Sequence, residues 1–491
     1  GVDNLPIIVF TKLLRRQSLE NNKRRNKTKK LNIAVIGSGA TALGVIKTLL
    51  EKKKFNITVI SKSINEQNKI FKKKRLTTSN HEIRSNFDKP LIKIGIDRNY
   101  SYVSHNSSGG LSDYWSGSLA LPEKKELKKW GLDKISFNKY FKFLSKIIPI
   151  SGVKNTKNYF LPNLYINENE IQISSLLSNF LNIFKNNKNF QISKNFVSVS
   201  LSQKSKSQNC INCSDCFNGC VQDSIFRPSR EIFKLIKDGH INYINNNVEK
   251  LSVKNKNSVE FKNGKLSFDK IYICAGAIGT AKIILNSFGF PKKNLFIYDI
   301  PSHTYACFNF LNNKKYKSNF FGFSNLALKL NLKTAKNYIL CGNLPMNIFK
   351  KYLKFNLLSI LLKKILRNRI FYFQIFGDQN NFHKLYFDKN LKLKLSKFSN
   401  FDSKAIMKNL NYIFKKKGFY IPSFLKMDNS SAHYSSNLFK AYNIKKNING
   451  KFKKNLYVCD SSVLNAPSSS TSHTFFLIAN ACRIAELSIK D

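Results

Sequence analysis

No stretch of this sequence reaches the eighteen or so consecutive apolar residues needed to cross a bilayer, so no membrane-spanning helix is expected. The N-terminal run Leu5-Pro6-Ile7-Ile8-Val9-Phe10 is too short for a secretory signal core and has no basic segment before it. The chain does not begin with Met, which leaves open an upstream piece holding a targeting signal. The expectation is a cytoplasmic protein, with peripheral membrane contact as a minor reading. Acidic residues are scarce: 28 Asp and Glu stand against 83 Lys and Arg, a formal net charge of +55. Histidine is scarcer still, at 7, and no internal repeat is visible.

What is present can fold. Hydrophobic residues make up 42% and aromatics 13%, which excludes a disordered chain. A length of 491 residues suits two or three domains. The positive charge taken alone suggests nucleic acid or an anionic surface. The lysines, however, run through the whole chain among Asn, Ile and Phe, as in Lys52-Lys53-Lys54-Phe55-Asn56-Ile57. All four residue types have A/T-rich codons, so base composition accounts for the excess at least as well. Residues 1–30 end in Lys23-Arg24-Arg25-Asn26-Lys27-Thr28-Lys29-Lys30 and read as a basic N-terminal extension. Nothing beside it looks like a nucleic-acid reading module.

The first sharp pattern begins at Leu31. Leu31 to Ile36 is a short apolar run suited to a buried parallel strand. Gly37-Ser38-Gly39-Ala40-Thr41-Ala42 follows, then a helical stretch from Leu43 to Leu50 and a second strand from Phe55 to Ile60. This is the unit that binds dinucleotides. Gly37 permits the tight turn, Gly39 lets the backbone approach a pyrophosphate, and Ala42 is small enough for the helix to pack on the strand. The helix N-terminus offers free N–H groups to phosphates. The acidic ribose ligand expected at the end of the second strand is missing; Ile60-Ser61-Lys62 stands there, and Ser61 can make one hydrogen bond in its place.

Further along, residues 95–122 are rich in Gly and Ser and read as a loop region, while 130–200 mixes helical and polar segments. Short strands alternate with turns from Ile241 to Ile273. Between 290 and 425, segments such as Phe371 to Phe376 and Leu391 to Leu395 suit an antiparallel sheet. Asn347 to Arg367 has the composition of a membrane-surface helix, and a helix packed on its own domain with lysines in water is the favoured alternative.

Four further segments fall in order behind the glycine turn. They are His105-Asn106-Ser107-Ser108-Gly109-Gly110-Leu111-Ser112-Asp113-Tyr114-Trp115-Ser116-Gly117, Cys274-Ala275-Gly276-Ala277-Ile278-Gly279-Thr280, Ser431-Ala432-His433-Tyr434, and Asn455 to Val463 leading to Ser472-His473-Thr474. Together they resemble the glucose–methanol–choline (GMC) oxidoreductase family, from about Leu31 to Leu487 and thinly over 125–205 and 290–425. The resemblance implies an α/β, two-domain protein: a Rossmann-like FAD-binding domain (31–289, with a Cys-rich insert at 205–225, and a C-terminal return at 426–491) and an antiparallel-sheet substrate domain (290–425). It implies FAD on the glycine turn, with Gly109, Gly110, Ser112, Trp115 and Gly117 along the flavin. Val248, Ala275, Gly276 and Thr280 are carried over as cofactor-binding residues, and Asp460, Ser461 and Thr474 as residues that close over the cofactor. His433 and His473, forty residues apart, match the two catalytic positions. The chain departs from the family pattern at His433-Tyr434-Ser435-Ser436, where a Gly-Thr pair usually follows the histidine, and at Trp115-Ser116-Gly117 in place of Trp-Gly-Gly.

The implied activity is removal of a hydride from a CH–OH group of an alcohol or sugar-like donor. Flavin takes the hydride and His433 serves as general base. The electron acceptor stays open among oxygen, a quinone and a redox protein. Two other readings remain: a nucleic-acid or anionic-surface binding protein on an inactive flavoprotein scaffold, and a flavin/iron–sulfur electron-transfer protein. The last comes from the 9 cysteines. Cys274, Cys307, Cys341, Cys459 and Cys482 are scattered, as in a reducing compartment. Cys210, Cys213, Cys216 and Cys220 have the spacing of a bacterial ferredoxin motif and could bind a 4Fe–4S cluster or zinc, or form a metal-free loop. No second motif is present, and Val221 replaces the usual proline.

Overall fold

The computed structural model describes residues 30–491 apart from 53, 63–90, 98–99, 106–107, 133–136, 154–164, 202–208, 215, 217–219, 221, 254–255, 312–318, 332–336, 345–368, 446 and 468–472. The basic extension 1–29, the helix expected over Asn347–Arg367, and Asn106, Ser107 and Ser472 of the quoted motifs therefore lie outside the described residues. No helix among the described residues is long and apolar enough to cross a membrane.

Two sheets organise the chain. The first has six strands in the order Lys451–Lys453, Leu456–Val458, Lys270–Ile273, Leu31–Ile36, Phe55–Ile60 and Asn242–Ile244. Four of its five pairings are parallel and the one at the Lys451–Lys453 edge is antiparallel; the central strand runs in register with both neighbours, Ala34 opposite Thr58 and Ile271. Strands buried on both faces carry continuous apolar runs, and Ile33, Ala34, Val35, Ile57, Val59, Ile271 and Ile273 are all buried. The helix Ala40–Glu51 starts three residues earlier than its apolar pattern and packs against the C-terminal helix Thr474–Ser488. Gly44 makes that contact possible: a β-carbon there would sit 2.6 Å from the Ile478 carbonyl oxygen.

The second sheet is antiparallel and has nine strands. Its path runs Leu393–Lys397, His383–Phe387, Phe296–Asn309, Ile370–Phe376, Tyr338–Asn343, Ser324–Leu330 and Phe190–Lys194. Phe419–Tyr420 and Met427–Ser436 also pair with the long strand Phe296–Asn309. Helices Ser175–Phe184 and Ser403–Lys415 bury a face of this sheet through Phe180, Phe184, Phe190, Phe371, Phe373, Phe414 and Phe419. The antiparallel sheet expected over 290–425 is thus present, and it also recruits Phe190–Lys194 and Met427–Ser436. The expected loop region 95–122 begins instead with a hairpin, Leu91–Asp97 paired with Tyr100–His105, and turns irregular only after it. Its polar alternation hides the strands: Ser101 and Ser104 interrupt any apolar run.

Candidate active site and cofactor cradle

The glycine turn closes on two neighbours. Gly37 has φ +106°, and a β-carbon there would overlap the Cys274 carbonyl oxygen. Its N–H donates to the Ile60 carbonyl at 2.9 Å, fixing the turn to the second strand. A β-carbon on Gly39 would come within 3.2 Å of the Gly109 carbonyl and 3.3 Å of Ser112 Oγ. Ser38 joins the pieces: its hydroxyl lies 2.8 Å from Ser61 Oγ and accepts from the Gly109 N–H at 3.0 Å. Ser112 Oγ accepts from the Ala40 N–H at 3.0 Å and donates to the Gly109 carbonyl at 2.7 Å. Gly37, Gly39, Ser61, Gly109 and Ser112 are therefore brought together, with Gly110 (φ +53°) beside them. Ser38 was missed because it occupies a variable position of the fingerprint. The only sequence signal for it is a hydroxyl between two glycines.

The loop itself is held from below. Asp113 is buried, and Ser229 donates to its carboxylate from both hydroxyl and backbone N–H. Burial pushes the Asp113 carboxyl up to about 6, with the Ser229 hydrogen bond and Arg227 working against that rise. Any side chain on Gly109 would run into this carboxylate. Trp115 and Gly117 make their contacts elsewhere: Trp115 Nε1 donates to the Phe226 carbonyl at 2.7 Å, and the Gly117 carbonyl accepts from the Ser198 N–H at 2.7 Å. Val248 is partly buried against the main core.

A second cluster forms at the end of the strand Lys270–Ile273. Thr280 Oγ1 donates to Asp460 at 2.5 Å, the Ser462 N–H donates to the same carboxylate at 3.0 Å, and the Gly276 backbone also hydrogen-bonds to it. Burial raises the Asp460 carboxyl above the ordinary range despite these donors. Gly276, Thr280 and Asp460 are thus one unit, with Ala275 capping the same helix. Ser461 faces the other way and donates to the Tyr434 carbonyl at 2.5 Å.

That last bond leads to the histidines. His433 sits on the strand Met427–Ser436 at a register shift: Ser430 pairs with Pro301, but Tyr434 already pairs with Asp299. Three residues thus oppose one, a bulge of the kind that re-aims a side chain. Ala432 inside it has φ +58°, a left-handed conformation uncommon for a residue with a β-carbon. The His433 ring stacks on Phe376 at 5.7 Å between centroids. Neighbouring Tyr434 exchanges hydrogen bonds with the Val103 backbone on the hairpin that leads into the Gly109 loop. His473 is buried at the head of the C-terminal helix, Thr474 being its first residue, with Trp130 edge-on at 5.5 Å. Burial pulls His433 down to about 4. It pulls His473 down to about 3, and His433 is close enough to depress it further. The two histidines, on separate elements, thus share one neighbourhood.

These shifts have a consequence for acid stability. Unfolded histidines take up protons near 6.5, whereas the folded ones stay neutral until about 4 and about 3. The unfolded state binds more protons between those values, so the stability they confer is full above about 6.5 and is lost as pH falls through the folded values. The urea midpoint is expected to drop between pH 7 and pH 4.5, and to drop less in a His433→Asn/His473→Asn double variant. Equal drops in both proteins would contradict the assignment.

The four clustered cysteines are free thiols; Cys216 is buried, Cys210 and Cys220 are partly so, and Cys213 is exposed. Among the described residues no group of three or more His, Cys, Asp or Glu is arranged to hold a metal ion. The geometry of the described residues therefore supports neither the iron–sulfur nor the zinc reading of this segment.

No protein-family model matches the sequence, and no curated protein matches it. Solved structures do. The fold, a parallel sheet joined to a larger antiparallel sheet in a mixed α/β chain, is shared with several solved oxidases. Pyridoxine 4-oxidase from Mesorbium loti superposes with a TM-score of 0.59 at 10% identity, covering 94% of this chain and 100% of that one. A formate oxidase variant from Aspergillus oryzae RIB40, described for its FAD modification, gives 0.62 at 10% identity over 94% and 99%. A fungal aryl-alcohol oxidase gives 0.58 at 10% over 94% and 99%.

Proposed function

We propose that the protein is an FAD-dependent oxidoreductase acting on a CH–OH group of a small alcohol or sugar-like donor. The observation that carries this reading is the convergence of His433, on its bulge, with His473 at the head of the C-terminal helix. In this reading residues 31–289 and 426–491 hold the cofactor and 290–425 shape the substrate site.

The residues fit FAD. The two glycines leave a cradle that any β-carbon would narrow, and the helix behind them has no side-chain cap and no acidic residue in its first turn, leaving a positive end for phosphates. Ser108 Oγ, next to Gly109, is buried with no hydrogen-bond partner among the described residues, an orphan that a ligand would satisfy. Gly37, Gly39, Ser61, Gly109, Gly110 and Ser112 would hold the cofactor, with Asp460, Thr280 and Gly276 closing behind it. When bound, FAD supplies the hydride acceptor.

The chain's own residues do the rest. Both imidazoles are neutral near pH 7, so each has an unprotonated ring nitrogen. A base held near 4 does not strip a hydroxyl proton in advance; it takes the proton as the C–H bond breaks. His433, the more accessible of the two, is that base, and the buried His473 steadies the developing alkoxide by hydrogen bonding. Phe376 packs flat against His433 and fixes its orientation. Anaerobic mixing with a panel of alcohols, sugars and sterols tests the reading. At least one donor class should bleach the flavin absorbance, and a fully flavinylated protein that none of them bleaches would contradict it.

A further inference from the structure

The apolar side chains left most open to water gather at one end of the antiparallel sheet. Among the described residues the four most exposed large hydrophobic side chains are Phe424 at 81%, Leu311 at 71%, Tyr412 at 70% and Phe310 at 59%. All four belong to two stretches that meet: the exit of the long strand Phe296–Asn309, and the run from the helix Ser403–Lys415 to Lys426. A cluster of apolar side chains in water leaves burial energy unrealised and marks a contact surface.

The sequence builds the meeting point step by step. The helix Ser403–Lys415 buries Met407, Leu410 and Phe414 in the core of that sheet and turns Lys404, Lys408 and Tyr412 to solvent. It ends in a glycine turn: Gly418 has φ +79°, and its N–H donates to the Lys415 carbonyl at 3.1 Å. The chain then pairs Phe419 with Asn309 and Tyr420 with Phe308. The Phe310 N–H donates to the Gly418 carbonyl at 2.9 Å, and a β-carbon on Gly418 would overlap the Leu311 side chain. Phe310, Lys415, Gly418, Phe419 and Tyr420 line one open groove. From Ile421 the chain runs back beside the same strand until Met427 pairs with Thr304, which sets Phe424 along the same edge.

Lysines stand among these apolar groups. Lys415, Lys416 and Lys417 are all exposed. Lys415 Nζ lies 4.7 Å from the Tyr420 ring centroid, and Lys416 Nζ lies 4.3 Å from that of Tyr412. No Asp or Glu occurs from Ile300 to Gly377 or from Ser403 to Met427. Base composition and the negative end of the helix account for the lysines. Neither accounts for Phe310, Leu311, Tyr412 and Phe424 standing in water beside them.

Apolar tips among cations suit the face of an anionic bilayer. Phenylalanine and leucine enter the headgroup–acyl boundary, tyrosine stays at its polar level, and ammonium groups meet the lipid phosphates. Single-stranded nucleic acid instead needs aromatic faces on which bases stack. Here an ammonium already occupies a face of Tyr412 and of Tyr420, and Leu311 offers no stacking face. We infer that this end of the antiparallel sheet docks on an anionic phospholipid bilayer, with Phe310, Leu311 and Phe424 inserted and Lys415, Lys416 and Lys417 against the lipid phosphates. This goes beyond the flavin reading and does not rest on it.

Cosedimentation of the full chain with vesicles tests the docking. Vesicles of phosphatidylcholine and phosphatidylserine, mixed about two to one, should bind it at least ~10-fold more tightly than phosphatidylcholine alone. No binding to the mixed vesicles would overturn the proposal. A net charge of +55 favours anionic vesicles wherever the lysines lie, so the variants locate the surface. Leu311→Ser/Phe424→Ser keeps every charge and should weaken binding to the mixed vesicles about 10-fold. Lys416→Glu/Lys417→Glu should weaken it at least as much. Lys292→Glu/Lys293→Glu makes the same charge change at exposed lysines before the other end of the long strand and should cost far less. Parent-like binding by Leu311→Ser/Phe424→Ser, or equal losses from the two lysine pairs, would overturn the assignment. Phe424→Trp gives a readout that needs no loss of binding: its fluorescence should shift to the blue on the mixed vesicles beyond any shift of the parent, and a vesicle-bound protein without that shift would contradict insertion. Patch variants that lose single-stranded DNA binding while keeping vesicle binding would assign the surface to nucleic acid and overturn the bilayer.

Discussion

Replacing His433 by alanine should lower kcat by about 10²- to 10⁴-fold, the usual contribution of a positioned general base, with little change in flavin content or KM. A large effect is expected because the bulge at 431–433 and the stacked Phe376 fix the orientation of that ring. Steady-state kinetics of a variant with full flavin content check it. His433→Ala activity within a factor of three of the parent would remove His433 from the chemistry. His473→Asn should cost less than His433→Ala, because asparagine can still donate a hydrogen bond to an alkoxide. The pH profile separates a base from a merely structural ring. With His433 near 4, kcat/KM should be flat across neutral pH and fall as pH drops through about 4.

The second large effect belongs to Gly37. Valine at φ +106° carries a backbone strain of about 1–3 kcal/mol, a factor of ~5–150 in the population of the binding-competent turn, before its side chain meets the Cys274 carbonyl. Gly37→Val should therefore be purified with little or no flavin, and added FAD should restore it only at roughly 100-fold higher concentration than in the parent. Flavin titration followed by protein fluorescence measures this. Circular dichroism of the flavin-free protein distinguishes a lost cradle from a lost fold. Gly110→Ala, where a β-carbon meets nothing within 4 Å, is the milder control.

The parallel sheet was legible because strands covered on both faces must be apolar throughout. Leu31–Ile36, Phe55–Ile60 and Lys270–Ile273 stand in the structure with the bounds that their apolar runs indicate. The strand Met427–Ser436 was not legible as a strand, because MDNSSAHYSS shows no apolar alternation. Ser435 reaches the Ala466 carbonyl at 2.8 Å, and Tyr434 reaches Val103. No local pattern encodes such pairings. The same holds for the site. The glycines of the turn announce themselves through the conformation they permit, whereas Ser38, Ser108 and Asp113 matter only because residues far apart in sequence close around them. Conversely, Trp115 and Gly117, placed along the flavin by resemblance, make their observed contacts with Phe226 and Ser198, on the side facing the cysteines.

The central claim is that this chain binds a flavin and uses it. An absorption spectrum of the freshly purified protein, taken before and after acid release of the cofactor, tests that most directly. The account predicts the two visible bands of oxidised flavin, with about one FAD per chain recovered in the acid supernatant. A colourless protein that also fails to take up added FAD would contradict it.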